Sequence, residues 1–200
     1  MTGKIKLNAT SGGGSVSFQA PSSTGDDRII TLPTTADGTV LTTTNPKAGN
    51  IIQVKQTIKK DRFTTAQVAS NGYTDLTGLT VAITPSSSSN KILVTTQIYN
   101  GAANNAVNFF RLLRGSTFIE QPSGTPSSGT NYNAHAYSYY DHSYQDSTAW
   151  SILDSPSTTS EITYKIQMAT TSGTSAINSF VGATGNYYGV SMMTAMEVAG

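Results

Sequence analysis

The densest collection of side chains able to bind or react lies in Asn131–Trp150, NYNAHAYSYYDHSYQDSTAW. Tyr132, Tyr137, Tyr139, Tyr140, Tyr144 and Trp150 sit there among Asn, Asp, Ser, Gln and both histidines, His135 and His142. Aromatic faces beside amides and carboxylates suit sugar rings, whose C–H face stacks while the hydroxyls take directed hydrogen bonds. The same tyrosines suit packing at a subunit interface, where Tyr is enriched, and that plainer reading is the one the residues favour. On a strand, His135, Tyr137, Tyr139 and Asp141 face one way, and Ala134, Ala136, Ser138 and Tyr140 the other. Small residues packing inward would turn the aromatics outward, and the reverse arrangement is equally open.

The other reactive groups form no recognisable constellation. His135, His142, Asp141 and Asp146 are spaced like no specific metal-ligand motif. Asp141, Asp146 and Asp154 lack the regular loop of oxygen ligands that calcium needs. Glycoside cleavage requires two carboxylates facing one bond, whereas Glu120, Glu161 and Glu197 are scattered. No nucleophile elbow, phosphate loop or dinucleotide motif occurs. No catalytic residue, metal or cofactor is therefore assigned, and enzyme activity is not expected. Lys55, Lys59, Lys60 and Arg62 make a small basic cluster, read either as solvated strand ends or as a contact for anionic polysaccharide.

The elements that must position these residues read as strands. Ile52, Val54 and Ile58 share one face of a segment; Leu79, Val81 and Ile83 share another, ending at Pro85 and Ser86–Ser89. Ile92, Val94 and Ile98 follow, then Ile162, Tyr164, Ile166 and Met168, and finally Val190, Met192, Met196 and Val198. Ala102–Arg114 fits a helix or a strand, and its all-β surroundings favour a strand. Gly, Pro, Asn and Ser clusters at short intervals predict an antiparallel sandwich or barrel over residues 46–200, with room for an eight- to ten-stranded jelly roll.

A break at Asn45–Gly49 separates that body from residues 1–45. Here Ser15–Ala20 and Arg28–Leu32 read as short strands joined by a Ser/Gly/Asp turn. The few apolar side chains upstream of the break bury too little surface to offset the entropy of ordering the segment alone. Its alternation argues against a plain linker, so Val16, Phe18, Ile30 and Leu32 are expected to pack against identical segments of other chains.

Composition narrows the setting. The chain has 200 residues, a net charge of +1, 12% charged residues and no cysteine. Near-neutrality provides no field for nucleic acid, and no apolar run is long enough for a membrane helix. Met1-Thr-Gly-Lys lacks the apolar core of a signal peptide, so synthesis in a cytoplasm without signal-directed export is expected.

The run GKIKLNATSGGGSVSFQAPSSTGDDRIITLPTTADGTVLTT resembles the spacer of tail-fibre and virion-appendage proteins of tailed bacteriophages, especially those of marine and cyanobacterial hosts. KAGNIIQVKQT, YTDLTGLTVAITPSSSSNKILV and the closing MTAMEVAG are similar to the globular head that accompanies it. The resemblance covers most of the chain. It implies a homotrimer with an intertwined β-stem and a jelly-roll head similar to tumour-necrosis-factor-like trimers. It also implies a place in the virion, contacts to other virion proteins through the N-terminus, and attachment to a host-surface glycan or protein. A structural appendage, such as a capsid fibre or tail adaptor without a receptor site, is the alternative. The chain departs from the family in lacking a long N-terminal anchoring domain, which puts the expected attachment point at Met1–Thr10. Family heads vary in their loops, so no receptor residue is carried over.

Overall fold

Turn residues cut the chain into short extended segments, and every regular element among the described residues is a β-strand. The computed structural model describes residues 4–8, 11–13, 15–19, 25, 46–66, 69, 72–102, 106–123, 133–140, 145–179 and 188–200. The chain divides into two units, Met1–Val40 and Leu41–Gly200.

In the first unit, β1 (Lys4–Asn8) and β2 (Ser15–Gln19) form an antiparallel hairpin pairing Ile5 with Phe18 and Leu7 with Val16. Gly12 and Gly13, at φ 84° and 70°, supply the left-handed backbone that reverses the chain. The partner seen for β2 is the upstream strand β1; Arg28–Leu32 lies outside the described residues. Ile30 and Leu32 lie outside the described residues, as do the side chains of Val16 and Phe18. Leu7 is 56% exposed, and a lone two-stranded ribbon of this length is marginal in water.

The second unit is a two-layer sandwich. One sheet runs β3 (Ile51–Lys59), β13 (Ser191–Val198), β6 (Lys91–Ala102), with β10 (Gln145–Asp154) on the far side of β6. The short strands β12 (Ser175–Ile177) and β4 (Phe63–Thr65) extend it beside the end of β6. The other sheet runs β5 (Thr74–Ile83), β11 (Ile162–Thr170), β7 (Ala106–Arg114), with β8 (Thr117–Phe118) and β9 (Ala136–Tyr140) both pairing β7. Counting the long strands alone, the first sheet is ordered first, eighth, third, sixth, and the second sheet second, seventh, fourth, fifth. This is the strand order of a jelly roll. Ala102–Arg114 supplies the end of β6 and all of β7, as its surroundings predicted.

Alternation builds the core between the sheets. Leu79, Val81 and Ile83 of β5 meet Ile92, Val94 and Ile98 of β6, with Phe110, Tyr164, Ile166, Met168 and Met193 filling the middle. Leu76 joins them out of phase. A register shift opposite Lys165 and Gln167, with Gly78 at φ 83°, turns both Leu76 and Leu79 inward. The expected face Ile52, Val54 and Ile58 points the other way: Val54 and Ile58 are exposed, while Lys59 on the opposite face of β3 is buried.

Phe110, fully buried and stacked on Trp150 with centroids 6.2 Å apart, anchors the centre of this layer. Phe110→Ala is expected to lower the unfolding free energy by roughly 3–5 kcal/mol, read from urea denaturation. A change below about 1 kcal/mol would contradict its place in the core.

Candidate functional site

Strand β9 divides the tyrosine segment as alternation requires. Tyr137 and Tyr139 are 71% and 61% exposed, whereas Ser138 and Tyr140 are buried. The choice of face comes from a buried polar hub. Asn100 of β6 accepts at Oδ1 from the Tyr140 hydroxyl at 2.6 Å, Ser138 Oγ at 3.1 Å and Asn108 Nδ2 at 3.0 Å. Its amide donates to Thr148 Oγ1 of β10 at 3.0 Å, and Ser138 and Thr148 hydroxyls meet at 2.6 Å. Ser175 Oγ donates to Asn108 Oδ1. The hub ties strands of both sheets together, and each member finds a partner, as buried polar groups must. Burial raises the Tyr140 hydroxyl well above the usual phenol range.

Tyr140 is therefore a structural residue and is removed from the receptor candidates. Trp150 is removed for a similar reason: it points between the sheets, half-buried, near Phe110 and His135. Its indole N–H is buried and meets no acceptor among the described residues. Tyr132 and Tyr144 lie outside the described residues.

The outer surface around β9 is aromatic and cationic. Register sets Tyr137 beside Phe109 and Tyr139 beside Val107 of β7. Further along β7, the Arg111 guanidinium lies 4.0 Å from the Tyr73 ring centroid and 5.4 Å from that of Phe118. Gln167 Oε1 accepts from Arg111 Nε at 2.9 Å and from Nη2 at 2.6 Å. Asp75 continues the row, held below the usual carboxylate range by hydrogen bonds from Lys165 at 2.8 Å and Gln167 at 2.6 Å. Tyr137 and Tyr139 thus stand on a stiffened sheet with their rings available to solvent.

The remaining candidates serve the fold. His135 is not on the outer face: its Nδ1 accepts from the Leu112 N–H at 2.8 Å and its Nε2–H donates to the Ile119 carbonyl at 2.8 Å. Burial pulls its pKa down despite those carbonyl contacts, so the ring is held neutral. Asp154 takes a two-oxygen clasp from Arg114 Nη1 at 2.9 and 2.8 Å and a 2.6 Å bond from the Tyr164 hydroxyl. This links β10 to β7 and β11 across the sandwich. Among the described residues no group of three or more His, Cys, Asp or Glu is arranged for a metal; His142 and Asp141 lie outside them. In the basic cluster, Lys59 is buried and bridged to Asp61 at 2.6 Å, leaving Lys55, Lys60 and Arg62 exposed. Asp61 is pulled below its ordinary pKa by that lysine.

Glu197 shows most clearly how a candidate acid becomes a structural one. It is fully buried on β13 and accepts from Gln53 Nε2 at 2.6 Å, Asn90 Nδ2 at 2.6 Å, Ser86 N at 2.6 Å and Ser86 Oγ at 2.8 Å. Burial pushes its pKa up, but the donors from Asn90, Gln53 and Ser86 together outweigh it and the net shift is downward. Nothing in the spacing of Gln53, Ser86, Asn90 and Glu197 announces this clasp.

No family model and no curated protein sequence matches the chain. Among solved structures, the chain is similar to one in the infectious bursal disease virus Gt strain, with TM-score 0.40 and 10% identity, covering 94% of this chain and 48% of that one. A chain of the T=1 particles derived from that virus gives TM-score 0.41 and 11% identity, covering 92% and 46%. One of its T13 viral particle gives 0.42 and 14%, covering 93% and 42%. This chain spans less than half the length of those proteins. The fold assignment here stands on the strand pairing itself.

The lowered pKa of Glu197 sets a sign for acid sensitivity. Its stabilisation is present above its unfolded value near 4.5 and lost as pH falls through the lower folded value. Glu197→Gln is expected to lower stability at neutral pH by about 1.5–3 kcal/mol and to flatten the decline below pH 4.5. Chemical denaturation at a series of pH values checks both; parallel acid limbs for the two proteins would contradict the clasp.

Proposed function

We propose that the chain is a virion structural protein of a tailed bacteriophage: a homotrimeric tail fibre whose head attaches to a host-surface glycan or protein. The observation that carries this reading is the contrast between the two units. The head has a full jelly-roll core, while the N-terminal hairpin leaves Leu7 exposed and has no second layer among its described residues. Copies of the chain wound together would supply that layer, with Val16, Phe18, Ile30 and Leu32 around the axis. The resemblance of the N-terminal run to phage appendage spacers supports the same reading, in which the protein sits in the virion and joins other virion proteins through its N-terminus.

On this reading Tyr137 and Tyr139 are the receptor contacts. Two exposed rings on one face of an edge strand, about 7 Å apart along it, offer consecutive stacking platforms to a glycan. The protein is a binding protein in this account, without cofactor, nucleic-acid partner or membrane insertion. Three equivalent weak sites on one rigid head, repeated over several fibres, gain roughly 10²-fold in avidity without any tight single contact. The purely structural appendage remains the competing reading, and adsorption decides between them.

Purified protein is expected to block phage adsorption, and the Tyr137→Ala/Tyr139→Ala double variant to lose that block by about 10-fold or more with its melting temperature unchanged. Undiminished blocking by the double variant would clear the tyrosines of a receptor role; no blocking by the unaltered protein would favour a structural appendage. Sugar release from host envelopes would instead revive an enzyme. Phe18→Asp is expected to dissociate or melt the stem while the head stays folded, seen as new protease cleavage within residues 1–45. A stem that stays protease-resistant after that change would remove Phe18 from the axis.

A further inference from the structure

The outer face of the β3–β13–β6–β10 sheet has the composition of a buried surface. Register lines up Val54, Met196, Leu93 and Leu153 as one apolar row across all four long strands. A second row sets Ile58 and Met192 beside Gln97 and Ala149. Between them runs Gln56, Thr194, Thr95 and Ser151, with Gln56 Nε2 donating to Thr194 Oγ1 at 2.9 Å. Val54, Ile58 and Leu153 are 55%, 48% and 47% exposed. No Asp, Glu, Lys or Arg stands in these rows; Lys91, opposite Val198, is at one end. A sheet face kept in water normally carries charges, whereas interface centres are poor in them and enriched in Met.

We infer that this face is the surface on which copies of the chain pack against one another in the head. The inference rests on the self-association proposed above and assigns it a location. An uncharged face of apolar and Thr, Gln and Ser rows is compatible with itself, since no like charges are brought together. A partner of opposite charge has nothing here to recognise. Four strands about 4.8 Å apart and about eight residues long at 3.3 Å each give roughly 500 Å² of sheet. Three such faces turned toward a common threefold axis remove about 1,500 Å² in all from water. The outer face of the other sheet is a poor candidate, because Asp75, Lys165, Gln167 and Arg111 form a polar and charged row there. The division also frees Tyr137 and Tyr139, on that second sheet, from the subunit-packing role their residue type favoured.

The test uses the full chain. The unaltered protein is expected to sediment as a trimer; in the Phe18→Asp background, which removes the stem's contribution, both Met196→Glu and Val54→Lys are expected to shift it at least 10-fold toward monomer with an unchanged far-ultraviolet dichroism spectrum. Val54 is more than half exposed on an edge strand, so its variant keeps the test valid if Met196→Glu fails to fold. The chain has no cysteine, which permits a second readout. In the assembled protein, Leu153→Cys should react with maleimide at least 10-fold more slowly than Thr163→Cys, an exposed position on the other sheet. A monomeric unaltered protein overturns the self-association itself. A trimer retained by folded Val54→Lys in that background, or equal labelling rates in an intact trimer, overturns this face as its interface.

Discussion

Asn100 gathers the Tyr140, Ser138 and Asn108 donors on one side-chain oxygen and passes its own amide to Thr148. Because all of these groups are out of water, losing any one leaves another unsatisfied, at a cost of about 1–3 kcal/mol. The hub therefore fixes the register of β9 against β7 and the spacing of β10 from β9. A one-residue slip would drive Tyr137 and Tyr139 inward and strand Ser138 and Tyr140 in solvent. What the outer surface offers a partner depends on this interior arrangement.

Two further polar devices hold the rest of the sandwich. Arg114, Asp154 and Tyr164 join the sheets where β7, β10 and β11 approach one another. Glu197, fed by Gln53, Ser86 and Asn90, fastens β13 to β3 and to the turn leading into β6. The last strand is secured again by the Ala199 N–H to the Asn50 carbonyl and the Gly49 N–H to the Ala199 carbonyl, both 2.9 Å. With charges so scarce, Asp75, Asp154 and Glu197 are each committed to holding strands together. A stiff head of this kind would lose little entropy on engaging several weak sites at once, as the attachment role proposed above requires.

Much of the head was legible from alternation. Leu79, Val81 and Ile83, then Ile92, Val94 and Ile98, show both the strands and their shared faces, because a half-buried strand repeats every two residues. The tyrosine segment shows its parity equally well: Tyr137 and Tyr139 must part from Ser138 and Tyr140. Parity does not say which side is interior. Inward small residues do not explain the outcome, since Tyr140 goes inward with Ser138; Asn100, some forty positions upstream, receives its hydroxyl. For Ile52, Val54 and Ile58 the same blindness misleads in the other direction. Their side looks like core, yet Lys59 and Gln53 take the opposite face, where Gln53 donates to the buried Glu197 and Lys59 reaches past the strand end to the exposed Asp61.

The order of apolar and polar residues, with Gly and Pro at the breaks, determined that this protein is built of short antiparallel strands and that its first forty residues carry little apolar surface. Those are local consequences of backbone sterics and of how much apolar surface a segment carries. The tertiary structure alone decided which face of each strand is buried, which tyrosines reach solvent, and that the apolar rows of β3, β13, β6 and β10 merge into one uncharged surface. Each of these depends on residues far apart in the chain meeting across a sheet or between sheets, and burial is a property of the meeting rather than of any residue alone.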